Sequence, residues 1–140
     1  MPISYVFDGD VVLFTAEGEL SNPIVRESLE TAAKEPEFRP GMSILMHDLG
    51  SDYQISSDEA YEAARDLSEM MELYSPHIAV VVNEDIKYGL GRMIAAYCER
   101  HEIDFQVFRN FDNARQWLDY VRETEDDVAN ESGAGDKPQA

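Results

Sequence analysis

The stretch HDLGSDYQISSDEA, His47 to Ala60, places an aspartate at the end of an apolar run and two serines at the start of a helical pattern. Two chemistries suit Ser56 and Ser57. A hydroxyl at a helix start can receive a phosphoryl group, or it can satisfy a backbone N–H that has no partner within the helix. Ser56 and Glu59 have the S-x-x-E spacing of a capping box, in which hydroxyl and carboxylate each take one such N–H. A phosphate on Ser57 would gain from the helix dipole. It would also sit beside Asp58 and Glu59, which repel a group of about −2 charge. Capping is the favoured reading of the pair.

Other reactive side chains form no recognisable catalytic set. His47, His77 and His101 are spread along the chain, and no pair has the i, i+4 spacing of a helical zinc site. Cys98, the single cysteine, excludes an internal disulfide and any multi-cysteine zinc motif. Placed beside the apolar stripe of its helix, and next to Glu99, its thiol is expected to be unreactive. No Ser/His/Asp or Cys/His signature is present, so the chain is expected not to be an enzyme, and no metal or cofactor is expected.

The elements that position these residues read clearly. ISYVFD and VVLFTAEG are two strands joined by a tight GD turn. A helix follows, with Asn22 as N-cap, Pro23 in its first turn, and Val25, Leu29, Ala32 and Ala33 on one face. EPEFRPG is a loop, and MSILMHDLG a third strand, apolar on both faces and therefore central. The periodicity predicts a helix over Ser56 to Tyr74, ending in a Met70–Met71–Tyr74 cluster beside Tyr61 and Leu67. The cluster reads as core, or as the lining of a pocket or partner surface, since methionine adapts to varied shapes. HIAVVVN is a fourth strand, Glu84 to His101 a third helix, and IDFQVFRN a fifth strand. Asp112 is expected to cap a last helix bearing Ala114, Trp117, Leu118 and Val121. The acidic remainder from Glu123 has no periodicity and reads as a disordered tail, so residues 1–122 form the domain and 123–140 the tail.

The order ββαβαβαβα implies an α/β fold with right-handed crossovers, a five-stranded mixed sheet and four main helices. Ligands of such sheets bind beyond the carboxyl ends of the strands. That rim collects Asp48, Asn83, Glu84, Arg109 and Asn110, and the helix starts add Ser56, Ser57, Tyr88 and Arg92. In YGLGRM, Gly89 and Gly91 each cost about 1 kcal/mol inside a helix. Close packing on the sheet is the favoured cause, with close approach of a ligand the alternative. Arg92 is expected to pair with Glu84 or Asp85, or else to receive a ligand carboxylate.

HDLG ending strand three, with serines opening the next helix, resembles the STAS domain, the sulfate-transporter and anti-sigma-factor-antagonist module. EPEFRPG, VVVNEDIKYGLGRM and FQVFRNFDNARQWL look like the stand-alone bacterial SpoIIAA-like proteins, over about residues 1–122. The resemblance implies a SpoIIAA-like fold and a regulatory or protein-interaction role. In STAS antagonists a partner kinase phosphorylates the serine of an Asp-Ser-Ser-Gly motif. Aligned without gaps, that serine is Ser57, but Ser56 stands where the motif has its acid and Glu59 where it has glycine. Lipid-transfer domains of the CRAL-TRIO type share the fold, so a small apolar or anionic ligand is the alternative function.

Composition narrows the partners. A net charge of −18 repels phosphate backbones and anionic headgroups, which argues against nucleic acid and membrane surfaces. No apolar run approaches the roughly 20 residues that cross a bilayer, and the first ten residues lack a signal-peptide pattern. A cytoplasmic location is expected. Strands two, three and four are apolar on both faces, so something must cover the second face. The first helix or a second copy of the chain would do so, and a homodimer is expected.

Overall fold

At Gly9–Asp10 a two-residue turn joins β1 (Ile3–Asp8) to β2 (Val11–Gly18), pairing them from Asp8↔Val11 out to Ile3↔Ala16. Gly9 supplies a φ of +62° at the first turn position, the conformation that suits glycine in a type II′ hairpin. The computed structural model describes the backbone of residues 2–134 and the side chains of residues 2–124.

Three parallel strands then follow, β3 (Met42–Ser51), β4 (Tyr74–Val81) and β5 (Asp104–Phe108). The sheet order is β1-β2-β3-β4-β5, the same as the chain order. Right-handed crossovers between neighbours that never reverse direction must all fall on one face. That face carries α1 (Asn22–Ala32), α2 (Ser57–Glu69) and α3 (Asp85–Cys98), packed on Val12, Phe14, Ala16, Ile44 and Ile78. The fifth strand leads into α4 (Phe111–Ala134), which returns across the opposite face. There Ala114 and Leu118 are buried against Val11, Leu45, Ala79 and Val81, with Phe111 and Trp117 closing the edge.

Strands apolar on both faces therefore have a cover, and it is neither of the two expected from sequence. Helix α4 supplies much of that cover, over β3, β4 and β5, while Val6, opposite Leu13 on the same face, stays exposed.

Several boundaries differ from the sequence reading. Ser21, not Asn22, caps α1 by accepting from the Ile24 N–H, while Asn22 turns its amide to the Glu59 carbonyl. Asn110, not Asp112, caps α4 through the Asn113 N–H at 2.9 Å. The second helix stops at Glu69, and Tyr74 belongs to β4, where its hydroxyl donates to the Leu29 carbonyl at 2.7 Å. Pro76 cannot donate to a ladder, and the β3–β4 register accordingly jumps from Met42↔Tyr74 to Ile44↔Ile78 around it. Helix α4 passes the expected boundary at 122 and continues to Ala134. Between Leu118 and Gly133 the sequence contains neither proline nor glycine, so the backbone meets no strong helix breaker there. Residues 135–140, the end of the expected tail, lie outside the described residues.

Candidate functional site

Small side chains sit where the helices meet the sheet, at Ala16 and Ala63. They leave a cavity of about 110 Å³ walled by hydrocarbon, including Leu29, Ile44, Leu67, Ile78 and Leu90. A second hollow of about 270 Å³ lies outside it, between the β3–α2 loop and α3, with Gln54, Ile55, Ile86 and Met93 in its walls. Tyr53, Lys87 and Leu90 belong to both, so the inner cavity and the outer groove adjoin.

Lys87 and Asp48 form the polar end of the cavity, each less than a tenth exposed. The Lys87 ammonium donates to Asp48 Oδ1 at 3.2 Å, to the Ser51 carbonyl and to Ser51 Oγ at 3.5 Å. Glu84 lies 3.8 Å away on the preceding turn. Asp48 also accepts from the Gly50 and Ser51 N–H groups, both at 2.8 Å, and from the Ser51 hydroxyl at 2.7 Å. Burial alone would push its carboxyl up, but these hydrogen bonds from Ser51, Gly50 and Lys87 outweigh it and hold the group below its ordinary value.

The remaining polar groups of the wall tie α1 to its neighbours. Tyr53 donates its hydroxyl to Asn22, and its acidity is suppressed first by burial, then by the charges of Glu59 and Asp66. Arg26 holds Glu69 at 2.6 Å, Asp66 at 3.0 Å and Glu30 at 3.2 Å.

Of the rim residues singled out from sequence, Asp48 alone lines the cavity. Ser56 makes both halves of the capping box, accepting from the Glu59 N–H at 3.2 Å and donating its own N–H to Glu59 Oε1 at 2.9 Å. Ser57 is the first residue of α2 and is exposed, as is Asn83 beyond the end of β4. Tyr88, Arg92 and Arg109 gather around one ring, with the guanidinium carbons 5.9 Å (Arg92) and 4.9 Å (Arg109) from its centroid. Asp85 pairs with Arg109, not Arg92, and Glu84 faces Lys87.

Gly91 does reflect close packing, since a Cβ there would lie 2.7 Å from Val107 Cγ2. Gly89 faces open space, and nothing in the structure explains it. Cys98 is fully buried in the core, not beside it, and burial pushes its thiol up to about 12.

The sequence reading missed Lys87, Tyr53, Asn22 and Arg26. A signal for Lys87 existed: it lies one turn before Gly91 and seven residues before Ile94 on the buried face of α3. A lysine on an apolar stripe, in a chain with only three lysines, marks a buried charge needing a carboxylate.

No protein-family model matches this chain, and no curated protein is similar to it in sequence. Among solved structures it is similar to an uncharacterized protein from the DUF3478 family, with a SpoIIAA-like fold, from Shewanella loihica PV-4. The TM-score is 0.52 and the identity 17%, over 83% of this chain and 91% of that one. The fold is thus SpoIIAA-like, as the sequence resemblance implied. Among the described residues no helix is long and apolar enough to cross a membrane.

Proposed function

We propose that the protein is a binding module that holds a small apolar ligand between its sheet and α1, α2 and α3. The observation that carries this reading is the hydrocarbon cavity of about 110 Å³ adjoining an outer groove of about 270 Å³. Protein interiors pack to crystal density, and unfilled volume costs ~24 cal/mol per Å³. A void of this size forgoes on the order of 2–3 kcal/mol of stability. Retaining it is reasonable where a ligand fills it.

The role is binding without chemical turnover. Lys87, the side chain best placed to act as a nucleophile on a bound ligand, is tied up by Asp48 and the Ser51 acceptors. The one thiol is buried with a raised pKa.

Thermal unfolding with increasing 1-hexanol tests the proposal. A ligand that binds only the folded state raises Tm with concentration. The rise is expected in the native chain and absent in Ala63→Leu, whose side chain occupies the cavity. An equal response in both proteins, or none in the native chain, would defeat the proposal.

A regulatory module that binds another protein is the second reading, consistent with the SpoIIAA-like fold. The exposed Ser57, left free while Ser56 makes the cap, is what favours it. Its test is a phosphopeptide recovered from the native host that disappears in Ser57→Ala; no phosphopeptide under any growth condition would count against it.

A further inference from the structure

The state of the cavity's polar end sets what the cavity can receive. The three N–H groups of Lys87 meet three acceptors, Asp48, the Ser51 carbonyl and the Ser51 hydroxyl, with Glu84 a further 3.8 Å contact. Asp48 receives from the Gly50 and Ser51 N–H groups, the Ser51 hydroxyl and Lys87. Arg26 is divided among Glu30, Asp66 and Glu69. The Tyr53 hydroxyl goes to Asn22, whose amide goes to the Glu59 carbonyl. None of the described side chains lining the cavity has a buried polar atom without a partner.

A carboxylate at the Lys87–Asp48 end would find every Lys87 N–H already engaged and would approach the Asp48 carboxylate. An ammonium group at the same end would find the Asp48 oxygens already accepting four hydrogen bonds, with the Lys87 charge beside them. Either ion would lose its hydration without replacement, which is the most costly outcome for a buried charge. An anionic ligand, left open by the sequence, is therefore disfavoured inside the cavity.

Shape restricts the ligand further. The inner cavity, at about 110 Å³, falls short of the ~150 Å³ that accommodates benzene in a packed core. A linear chain reaching inward from the groove suits it better than a ring does. In the groove the uncharged polar side chains are Tyr53, whose hydroxyl is already given to Asn22, and Gln54, which is exposed.

We infer, on the ligand-binding reading above, that the site selects an uncharged linear ligand, with its hydrocarbon end in the inner cavity and a hydroxyl or carbonyl end in the groove near Gln54. The Lys87–Asp48 pair acts as a closed polar wall and does not receive the headgroup.

Methyl NMR of the full chain at pH 7 with 1-hexanol, hexanoate and hexylamine as probes tests this. 1-Hexanol is expected to shift the methyl signals of Met46, Leu67, Leu90 and Ile94 saturably. From 1-butanol to 1-hexanol the Kd should tighten about fourfold per methylene, the equivalent of ~0.8 kcal/mol per buried CH₂. Hexanoate and hexylammonium should bind about tenfold more weakly or worse, from the uncompensated desolvation of their charge. If either ion bound as tightly as the alcohol, the selectivity for an uncharged ligand would be overturned, while the ligand-binding reading would stand. Saturable binding by none of the three would overturn both.

Discussion

Lys87 Nζ lies 3.2 Å from Asp48 Oδ1, and this contact fastens the first turn of α3 to the end of β3. Both groups are buried, and each has further hydrogen bonds that compensate for lost water. The attraction of a buried pair roughly offsets its desolvation, so the pair adds little net stability over an apolar substitute. Breaking it is a different matter, because one charge is then left buried alone.

Lys87→Met is accordingly expected to cost about 3–5 kcal/mol, the range for stranding one partner of a buried pair. Urea denaturation at pH 7 measures this. Lys87→Met combined with Asp48→Asn should recover part of the loss, because the stranded charge is gone. A double variant less stable than Lys87→Met would show that the charge is not the source of the loss.

The same carboxylate gives a pH dependence with a defined sign. Asp48 has a folded pKa below its unfolded value of about 3.9. Its contribution is fully present above the unfolded pKa and is lost as pH falls through the folded one. In Asp48→Asn, stability should therefore fall less steeply than in the native chain as pH drops below about 4. Paired urea titrations across the acid range check it, and parallel curves would contradict the assignment.

The two glycines of α3 should respond oppositely to alanine. At Gly91 the added Cβ meets Val107 at 2.7 Å, and overpacking of this kind costs about 1–3 kcal/mol. At Gly89 the Cβ meets nothing, and the gain in helix propensity is worth up to about 1 kcal/mol. Thermal melts of the two variants should move Tm in opposite directions. Val107→Ala should relieve much of the Gly91→Ala loss.

Strand and helix order was readable because apolar alternation and the 3.6-residue repeat are local signals, and the GD turn and the capping box each carry their own chemistry. What covers the second sheet face was not readable. Trp117 and Leu118 show that α4 has an apolar face, but not which side of the sheet it meets; that follows from the strand order. Tyr74 was misread because Met70 and Met71 continue the helical spacing, while the pairing that claims it, with Met42, is more than thirty residues away. The cavity is a property of what Ala16 and Ala63 leave unfilled together, from two separate elements. Of its polar end, only Asp48 was found, since it ends a strand. Lys87, on the buried face of α3, was not singled out.

Ser56 and Ser57, adjacent and chemically identical, are expected to differ in what their loss costs. The Ser56 hydroxyl takes the Glu59 N–H, and Glu59 in turn takes the Ser56 N–H, so the two residues satisfy two otherwise unpaired donors at the start of α2. Ser56→Ala should cost about 1 kcal/mol, within the range for removing such a cap. Ser57 follows the cap, faces solvent and should tolerate alanine within about 0.5 kcal/mol, as ordinary surface positions do. Because both halves of the box secure the same helix start, Ser56→Ala and Glu59→Ala should be non-additive, the double variant losing less than the two single losses together. Chemical denaturation of the four variants measures the cycle. Equal costs at Ser56 and Ser57, or full additivity between Ser56 and Glu59, would show that the box does not hold the helix start in solution.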